Sequence, residues 1–260
     1  MLLKKKTIKR GENIAVSGIW KQESGCDYTF TWRGLSWWNY REIAENLQDD
    51  YRVILPILDG HAGSDRSFTS IRDNAIEIIS FINQEFNGKV FMIGGVSLGA
   101  QILLEMLSIR SDICKFSIVE SALVIPSDFT RSTIKPVLDS TYRLIRQKWF
   151  ARLQFKYLKI REDLFEDYYR DTCVIEKADM IAFLQENSMY SLADTIKECN
   201  SEVYVFVGEN ENHAMFESAE KIHQMIPASS LEILPGLCHG EFSINCSTEY
   251  VKKLRGIINE

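Results

Sequence analysis

One short stretch decides the fold: residues 89–109 read KVFMIGGVSLGAQILLEMLSI. An apolar run enters this stretch and a run with helical spacing leaves it, with Gly95-x-Ser97-x-Gly99 between them. A serine flanked in this way at a strand-to-helix junction is typical of a tight turn that exposes a nucleophilic hydroxyl. The two glycines let neighbouring backbone approach the turn closely. A phosphate-binding loop would need Lys followed by Ser or Thr after the last glycine, and that pair is missing here.

Outward from this stretch, short apolar runs alternate with longer helical patterns. Strands are predicted at residues 14–19, 51–58, 89–94, 116–120, 203–207 and 231–234, and residues 2–9 supply one short strand at most. Helices are predicted at residues 38–48, 70–86, 98–109, 214–225 and 248–258. Several strands are apolar at nearly every position, as expected of parallel strands buried on both faces. The pattern therefore predicts an α/β fold with a mostly parallel sheet and helices on both faces.

The region from 126 to 190 breaks this alternation because it contains no convincing strand. Apolar residues at helical spacing predict one long helix over residues 133–160, with further helices near 163–170 and 175–186. We interpret this region as a helical insertion between two strands of the sheet. The predicted domain organisation is a core made of residues 1–125 and 191–260 and an insertion of residues 126–190.

Composition excludes several classes of protein. The chain has 260 residues, 45% of them hydrophobic, and a net charge of −6. An acidic chain is not expected to bind nucleic acid. No apolar stretch is long enough for stable membrane insertion, and the basic start of the chain lacks the apolar core of a signal peptide. Six scattered cysteines without a C-x-x-C pair indicate reduced thiols rather than a zinc site or a disulfide framework. These features predict a cytoplasmic location.

A serine hydroxyl needs a general base, and four histidines are present. His239 follows the last predicted strand and is our candidate, because a loop at the carboxyl end of a strand can face Ser97. His213 is a weaker competitor on another loop, and His223 lies within a predicted helix. The base in turn needs an acid that fixes its tautomer. Three carboxylates at strand ends are available, namely Glu120, Glu209 and Glu211.

Together these residues resemble the α/β-hydrolase fold superfamily over nearly the whole chain. The order serine, acid, histidine matches that family. Its Gly-x-x-acid pattern maps onto Gly208 and Glu211, which favours Glu211 as the acid, and residues 234–240, LPGLCHG, resemble its histidine segment. Residues 59–64, DGHAGS, resemble its loop after the fourth strand, where His61 is expected to be structural. The resemblance also implies that residues 126–190 form a helical cap after the sixth strand, which shapes an acyl pocket.

The resemblance implies an oxyanion hole built from two backbone N–H groups, here those of Leu98 and Ile19. The family's His-Gly before the second donor is replaced by Ser17-Gly18. The expected function is hydrolysis of a small-molecule ester, thioester or related acyl compound. The attack by Ser97 forms an acyl-enzyme that His239 and water resolve, with no metal or organic cofactor.

Other functions remain open at this stage. This fold includes proteins that bind a ligand without turnover. The same three residues also serve carbon–carbon bond hydrolases and acyltransferases, and the sequence does not separate these from ester hydrolysis. The oligomeric state is equally open, either monomer or homodimer.

Residues 131–161 are strongly basic. They hold nine basic residues against a single acidic one, Asp139; the basic residues are Arg131, Lys135, Arg143, Arg146, Lys148, Arg152, Lys156, Lys159 and Arg161. The simpler interpretation is a solvated helix face, paired with acids that follow directly in the sequence. The alternative hypothesis is that this face attracts an anionic substrate or an acidic partner towards the site.

Overall fold

The computed structural model describes residues 16–19, 29–31 and 36–259. Their strands form one seven-stranded sheet in the order β1-β3-β2-β4-β5-β6-β7. The strands are β1 (Val16–Ile19), β2 (Thr29–Thr31), β3 (Arg52–Pro56), β4 (Val90–Val96), β5 (Cys114–Glu120), β6 (Glu202–Gly208) and β7 (Ser229–Leu234). Strand β1 pairs with β3 antiparallel, and every other neighbouring pair is parallel. The carboxyl ends of β2 to β7 therefore share one edge of the sheet.

Helices cover both faces of this sheet. They are α1 (Arg41–Leu47), α2 (Ile71–Glu85), α3 (Leu98–Ile109), α4 (Asp128–Ile145), α5 (Lys148–Tyr157), α6 (Phe165–Val174), α7 (Lys177–Met189), α8 (His213–Met225), α9 (Glu241–Asn245) and α10 (Ser247–Asn259). Helices α2, α3 and α8 share one apolar core, while α1 and α10 share the other. Ile54 faces the first core and its neighbours Val53 and Leu55 face the second, as strand alternation requires. The α/β fold is confirmed.

The insertion between β5 and β6 consists of α4 to α7 and contains no strand, as expected from its sequence. The long helix predicted at residues 133–160 is two helices, because the chain leaves the helical conformation at Gln147, the residue before α5. The Tyr169 hydroxyl donates to the Arg146 carbonyl at this break, with 2.7 Å between the oxygens. That bond satisfies one of the carbonyls that a helix end leaves without an internal partner.

Buried hydrogen bonds attach the insertion to the rest of the fold. The Trp38 indole donates to Asp171 across 2.8 Å, and the Phe68 N–H donates to Asp179 across 2.8 Å. Both carboxylates are buried, so losing either contact would leave a buried polar group without its partner. These contacts hold the insertion on the carboxyl edge of the sheet.

Strand β2 was not predicted from the sequence, because three residues carry too little periodic signal. The short strand predicted at residues 2–9 and the thiol of Cys26 lie outside the described residues. Within the described part of the chain, no helix is both long enough and apolar enough to cross a membrane.

Candidate active site

Ser97 occupies the turn between β4 and α3 in an unusual backbone conformation. Its φ is +53° and its ψ is −121°, a left-handed φ that side-chain-bearing residues rarely adopt. The Ser97 N–H donates to the Glu120 carbonyl across 3.0 Å, and the Ser97 carbonyl accepts from the Gln101 N–H across 3.1 Å. Neighbouring structure thus holds the strained residue on both sides. The strand-to-helix turn predicted from the sequence is present.

Gly95 is required by this turn. A Cβ atom built on Gly95 would lie 2.4 Å from the Gly99 carbonyl oxygen, closer than real contacts allow. The obstructing atom belongs to backbone, so a side chain could not be accommodated by a rotamer change. Glycine at position 95 therefore has a steric cause.

His239 and Glu211 form a direct pair beyond the carboxyl ends of β6 and β7. The distance from His239 Nδ1 to Glu211 Oε2 is 2.7 Å. The Glu211 side chain is 1% exposed, while that of His239 is 48% exposed. With a carboxylate as its partner, Nδ1 carries the proton and Nε2 of a neutral imidazole is left as an acceptor. This orientation suits a general base.

Glu211 is held as a carboxylate despite its burial. Burial alone would raise the pKa of Glu211, but the hydrogen bond and charge of His239 outweigh it. The Gly208 N–H and the Ser121 hydroxyl each donate to Glu211 Oε1 across 2.8 Å, and both stabilise the ionised form. Together these contacts hold the pKa of Glu211 below its usual range.

The loop that carries His239 lies against the residue before Ser97. A Cβ atom built on Gly240, which follows His239, would lie 3.1 Å from Val96 Cγ2. Within the described residues, no hydrogen bond joins the Ser97 hydroxyl to His239. The fold thus brings Ser97, Glu211 and His239 to one edge of the sheet, with the bond between base and acid already formed.

Ser121 is a site residue that the sequence analysis missed. Its hydroxyl donates to Glu211 and accepts from the Gly240 N–H across 3.1 Å, and its own φ is +53°. Ser121 therefore links Glu211 to the loop that carries His239. The available signal was a small polar residue directly after a strand that neighbours β4.

The other candidate acids and bases lie elsewhere. Glu209 Oε2 accepts from the Gly236 N–H across 2.7 Å, and Glu120 is buried without a hydrogen bond to His239. His61 stacks on a phenylalanine ring, with Nδ1 3.0 Å from the Asp59 carbonyl oxygen. His213 is an exposed neighbour of an acid on its own helix, and His223 contacts a serine hydroxyl. Of the three carboxylates considered, the structure brings Glu211 to His239.

The two backbone N–H groups expected to form the oxyanion hole lie in different parts of the fold. Leu98 is the first residue of α3, so its N–H has no carbonyl within the helix to bond and lies beside Ser97. Across the sheet, Ile19 of β1 pairs with Val53 of β3, and Val53 pairs with Phe30 of β2. Phe30 in turn pairs with Met92 of β4, so Ile19 is level with Met92. Met92 precedes Ser97 by five residues, or roughly 16 Å along the strand direction. The antiparallel direction of β1 thus removes Ile19 from the site and corrects that expectation.

Basic residues of the insertion are partly neutralised by acids. The ion pairs are Lys135 with Asp139, Lys148 with Glu166, Arg152 with Glu162, and Arg161 with Glu42 and Asp163. Arg143 and Lys156 are exposed and make no ion pair with any residue that the structure describes. The interpretation as a solvated helix face accounts for the basic residues that are paired with acids. The hypothesis that this face attracts an anionic substrate or an acidic partner stays a prediction for the unpaired basic residues.

Metal chemistry finds no support in the described side chains. No cluster of three or more His, Cys, Asp or Glu residues among them is arranged to hold a metal ion. Among the described residues, the groups brought to this edge include a hydroxyl, an imidazole whose Nε2 can accept a proton, a carboxylate and a backbone N–H.

Comparisons with known proteins agree with this architecture. The family model described as "Alpha/beta hydrolase family" matches residues 18–241. No curated protein matches the chain in sequence. An enol-lactonase from Burkholderia xenovorans has a similar structure, with a TM-score of 0.78 at 11% identity over 95% of this chain and 96% of that one. An esterase from Exiguobacterium antarcticum has a TM-score of 0.77 at 17% identity, over 95% of this chain and 96% of that one. A thermophilic esterase from Thermogutta terrifontis has a TM-score of 0.74 at 15% identity, over 95% of this chain and 93% of that one.

Proposed function

Because the chain belongs to the alpha/beta hydrolase family, we propose that it is a serine hydrolase acting on a small ester, thioester or related acyl compound. Ser97 is the nucleophile, His239 the general base and Glu211 the acid that orients it. The observation that carries the proposal is the 2.7 Å contact between His239 and Glu211, made beside a serine held at positive φ. The esterases and the enol-lactonase of similar structure are consistent with this reaction class.

The reaction follows from these positions. The Ser97 hydroxyl oxygen bonds to the acyl carbon while its proton passes to His239 Nε2. The imidazolium formed is stabilised by Glu211, which stays ionised. His239 then gives the proton to the leaving group while the bond between the leaving group and the acyl carbon breaks. Water then loses a proton to His239 as its oxygen bonds to the acyl carbon of the acyl-enzyme. The bond from that carbon to the Ser97 oxygen breaks while His239 gives the proton to this oxygen, which releases the acid and restores both residues.

Backbone donors stabilise the negative charge that develops on the acyl oxygen. The Leu98 N–H is one donor, and its place at the start of α3 adds the favourable end of the helix dipole. Strand β2 runs parallel beside β4 and ends at the same edge. Ile19, which lies on the antiparallel strand β1, is not the second donor.

The insertion acts as the cap of this site. The chain after α5 contacts the helix that follows the base: Asn245 donates to the Lys159 carbonyl across 2.7 Å, and the Arg161 N–H donates to Asn245 across 3.1 Å. A cap in this place would shape the acyl pocket. The division into core and cap domains, the cytoplasmic location and the monomeric or homodimeric state stay predictions.

Turnover of an acyl panel tests the proposal. Esters and thioesters of graded chain length are offered to the wild type, Ser97→Ala, His239→Ala and the control His213→Ala, which changes an exposed histidine outside the site. We expect hydrolysis by the wild type and the control, and a loss of several orders of magnitude in both site variants. Turnover that survives in Ser97→Ala would contradict the assignment, and binding without turnover by the wild type would favour a ligand-binding protein.

A further inference from the structure

Glu120 contacts two segments of the proposed site at once. It is the last residue of β5 and is 2% exposed. Its carbonyl accepts from the Ser97 N–H across 3.0 Å. Its carboxylate oxygen Oε1 accepts from the Ser243 N–H across 3.3 Å. Ser243 lies in α9, four residues after His239, so this single residue links the nucleophile's turn to the helix that follows the base.

The Glu120 side chain is not the acid of the site. His239 Nδ1 is occupied by Glu211, and Glu120 makes no hydrogen bond to His239 among the described residues. The second oxygen of Glu120, Oε2, is buried and has no hydrogen-bond partner in the described part of the chain. If the Glu120 carboxylate were ionised, burying an oxygen that has no hydrogen-bond partner would carry a large desolvation cost. The titratable groups that share its electric field are Tyr40, Glu211, His239, Cys246 and Tyr250.

We propose that Glu120 is a positioning residue whose buried carboxyl, carrying a proton in the resting protein, ties α9 and the His239 loop to the end of β5. The role of His239 as base in this statement rests on the proposed function. A neutral carboxyl still accepts from the Ser243 N–H through its carbonyl oxygen. A neutral Glu120 also adds no second negative charge to that of Glu211, which bonds to His239.

Electrostatics agree with a protonated Glu120. The pKa of Glu120 is raised to about 7, chiefly by burial and further by the charge of Glu211, while the proximity of Ser243 and the charge of His239 oppose the rise. A carboxyl among such neighbours gains from keeping its proton.

Two substitutions separate the hydrogen bond from the charge. Glu120→Gln keeps an acceptor for the Ser243 N–H but has no proton to lose, whereas Glu120→Leu removes the acceptor. Ser243→Pro removes the donor instead, within the first turn of α9 where proline is tolerated. Glu209→Gln is the comparison variant, because Glu209 contacts the His239 loop at Gly236 and makes no contact with Ser243 in α9 among the described residues.

Two readouts do not depend on activity. The infrared band of a buried carboxylic acid should be present in the wild type at pH 6, fade as the pH rises past 8, and be missing in Glu120→Gln. Hydrogen exchange at the Ser243 amide should stay slow in Glu120→Gln and become at least about tenfold faster in Glu120→Leu. A missing band, or unchanged exchange in Glu120→Leu, would overturn the proposal even if the protein hydrolysed no acyl compound at all.

Activity supplies the positioning test. We expect kcat/KM of Glu120→Gln to stay within about threefold of wild type near pH 6.5, and that of Glu120→Leu and Ser243→Pro to fall by about tenfold or more, mainly through kcat. Rescue by the glutamine variant shows that the acceptor matters rather than the charge. If Glu120→Gln is as damaging as Glu211→Gln, Glu120 acts as a charged acid and the proposal fails. An active wild type with unaffected leucine and proline variants leaves Glu120 as packing alone, which also overturns it.

Discussion

Replacing Glu120 with glutamine should stabilise the protein increasingly as the pH rises. Above pH 4.5 the unfolded chain releases the Glu120 proton, whereas the folded protein keeps it until about pH 7. The folded state therefore binds more protons in this window, and wild-type stability falls as the pH rises through it. Glutamine has no proton to release, so this loss is absent from Glu120→Gln.

The magnitude follows from the two pKa values. A rise from 4.5 to about 7 corresponds to about 3 kcal/mol once both states have titrated. Part of the effect is already present at pH 5, so between pH 5 and pH 8 the free energy of unfolding of Glu120→Gln should gain about 2 to 3 kcal/mol on that of the wild type. For a chain of this size, that gain corresponds to about 4 to 6 °C in Tm.

The assay is urea unfolding followed by tryptophan fluorescence at pH 5, 6, 7 and 8, with thermal unfolding as a second measurement. Glu209→Gln serves as the comparison variant in the same measurements. Glu211 is present in all three proteins, and its lowered pKa keeps it ionised across this pH range. A constant difference between Glu120→Gln and the wild type across this range would refute the reasoning, because Glu120 would then be ionised throughout.

Further outcomes are expected at the site and on the insertion. Glu211→Gln should lower kcat by at least about a hundredfold, since glutamine cannot stabilise the imidazolium, while Glu209→Gln stays within about threefold in the same ester assay; the reverse order would move the acid to Glu209. Ser121→Ala should lower kcat about tenfold and move the acid limb of the pH profile of kcat to higher pH, because Glu211 loses a hydrogen-bond donor that favours the ionised carboxylate. An unchanged pH profile would mean that Ser121 only fills space at the site. Arg143→Glu combined with Lys156→Glu should slow an anionic acyl substrate selectively and remove its salt dependence, and equal effects on a neutral substrate would rule out attraction by this face.

The turn at Ser97 was predictable because its chemistry is local. Gly95 is needed because its Cα lies against the Gly99 backbone with no room for a side chain, so this requirement can be read from the sequence. The parallel sheet followed from apolar runs buried on both faces, with Ile54 and its neighbours facing opposite cores. The position of His239 followed in the same way, from its place directly after the last strand.

The remaining features depend on contacts between distant parts of the chain. Placing Ile19 at the site assumed that its strand ends at the carboxyl edge, but periodicity does not reveal strand direction, and β1 runs antiparallel to β3. The strand that ends beside β4 is β2, which is three residues long. Ser121 carried no motif, since its two hydrogen bonds join residues 90 and 119 positions away in the sequence. Local patterns therefore predict the elements, while their directions and cross-links require the assembled sheet.

The most direct test of the account is covalent labelling of Ser97 by a fluorophosphonate probe, with the labelled peptide identified by mass spectrometry. The account predicts one equivalent of label on Ser97 in the wild type. Labelling should be abolished in Ser97→Ala, strongly slowed in His239→Ala and unchanged in the control His213→Ala. Absence of label from the wild type, or labelling of a serine other than Ser97, would contradict the central claim.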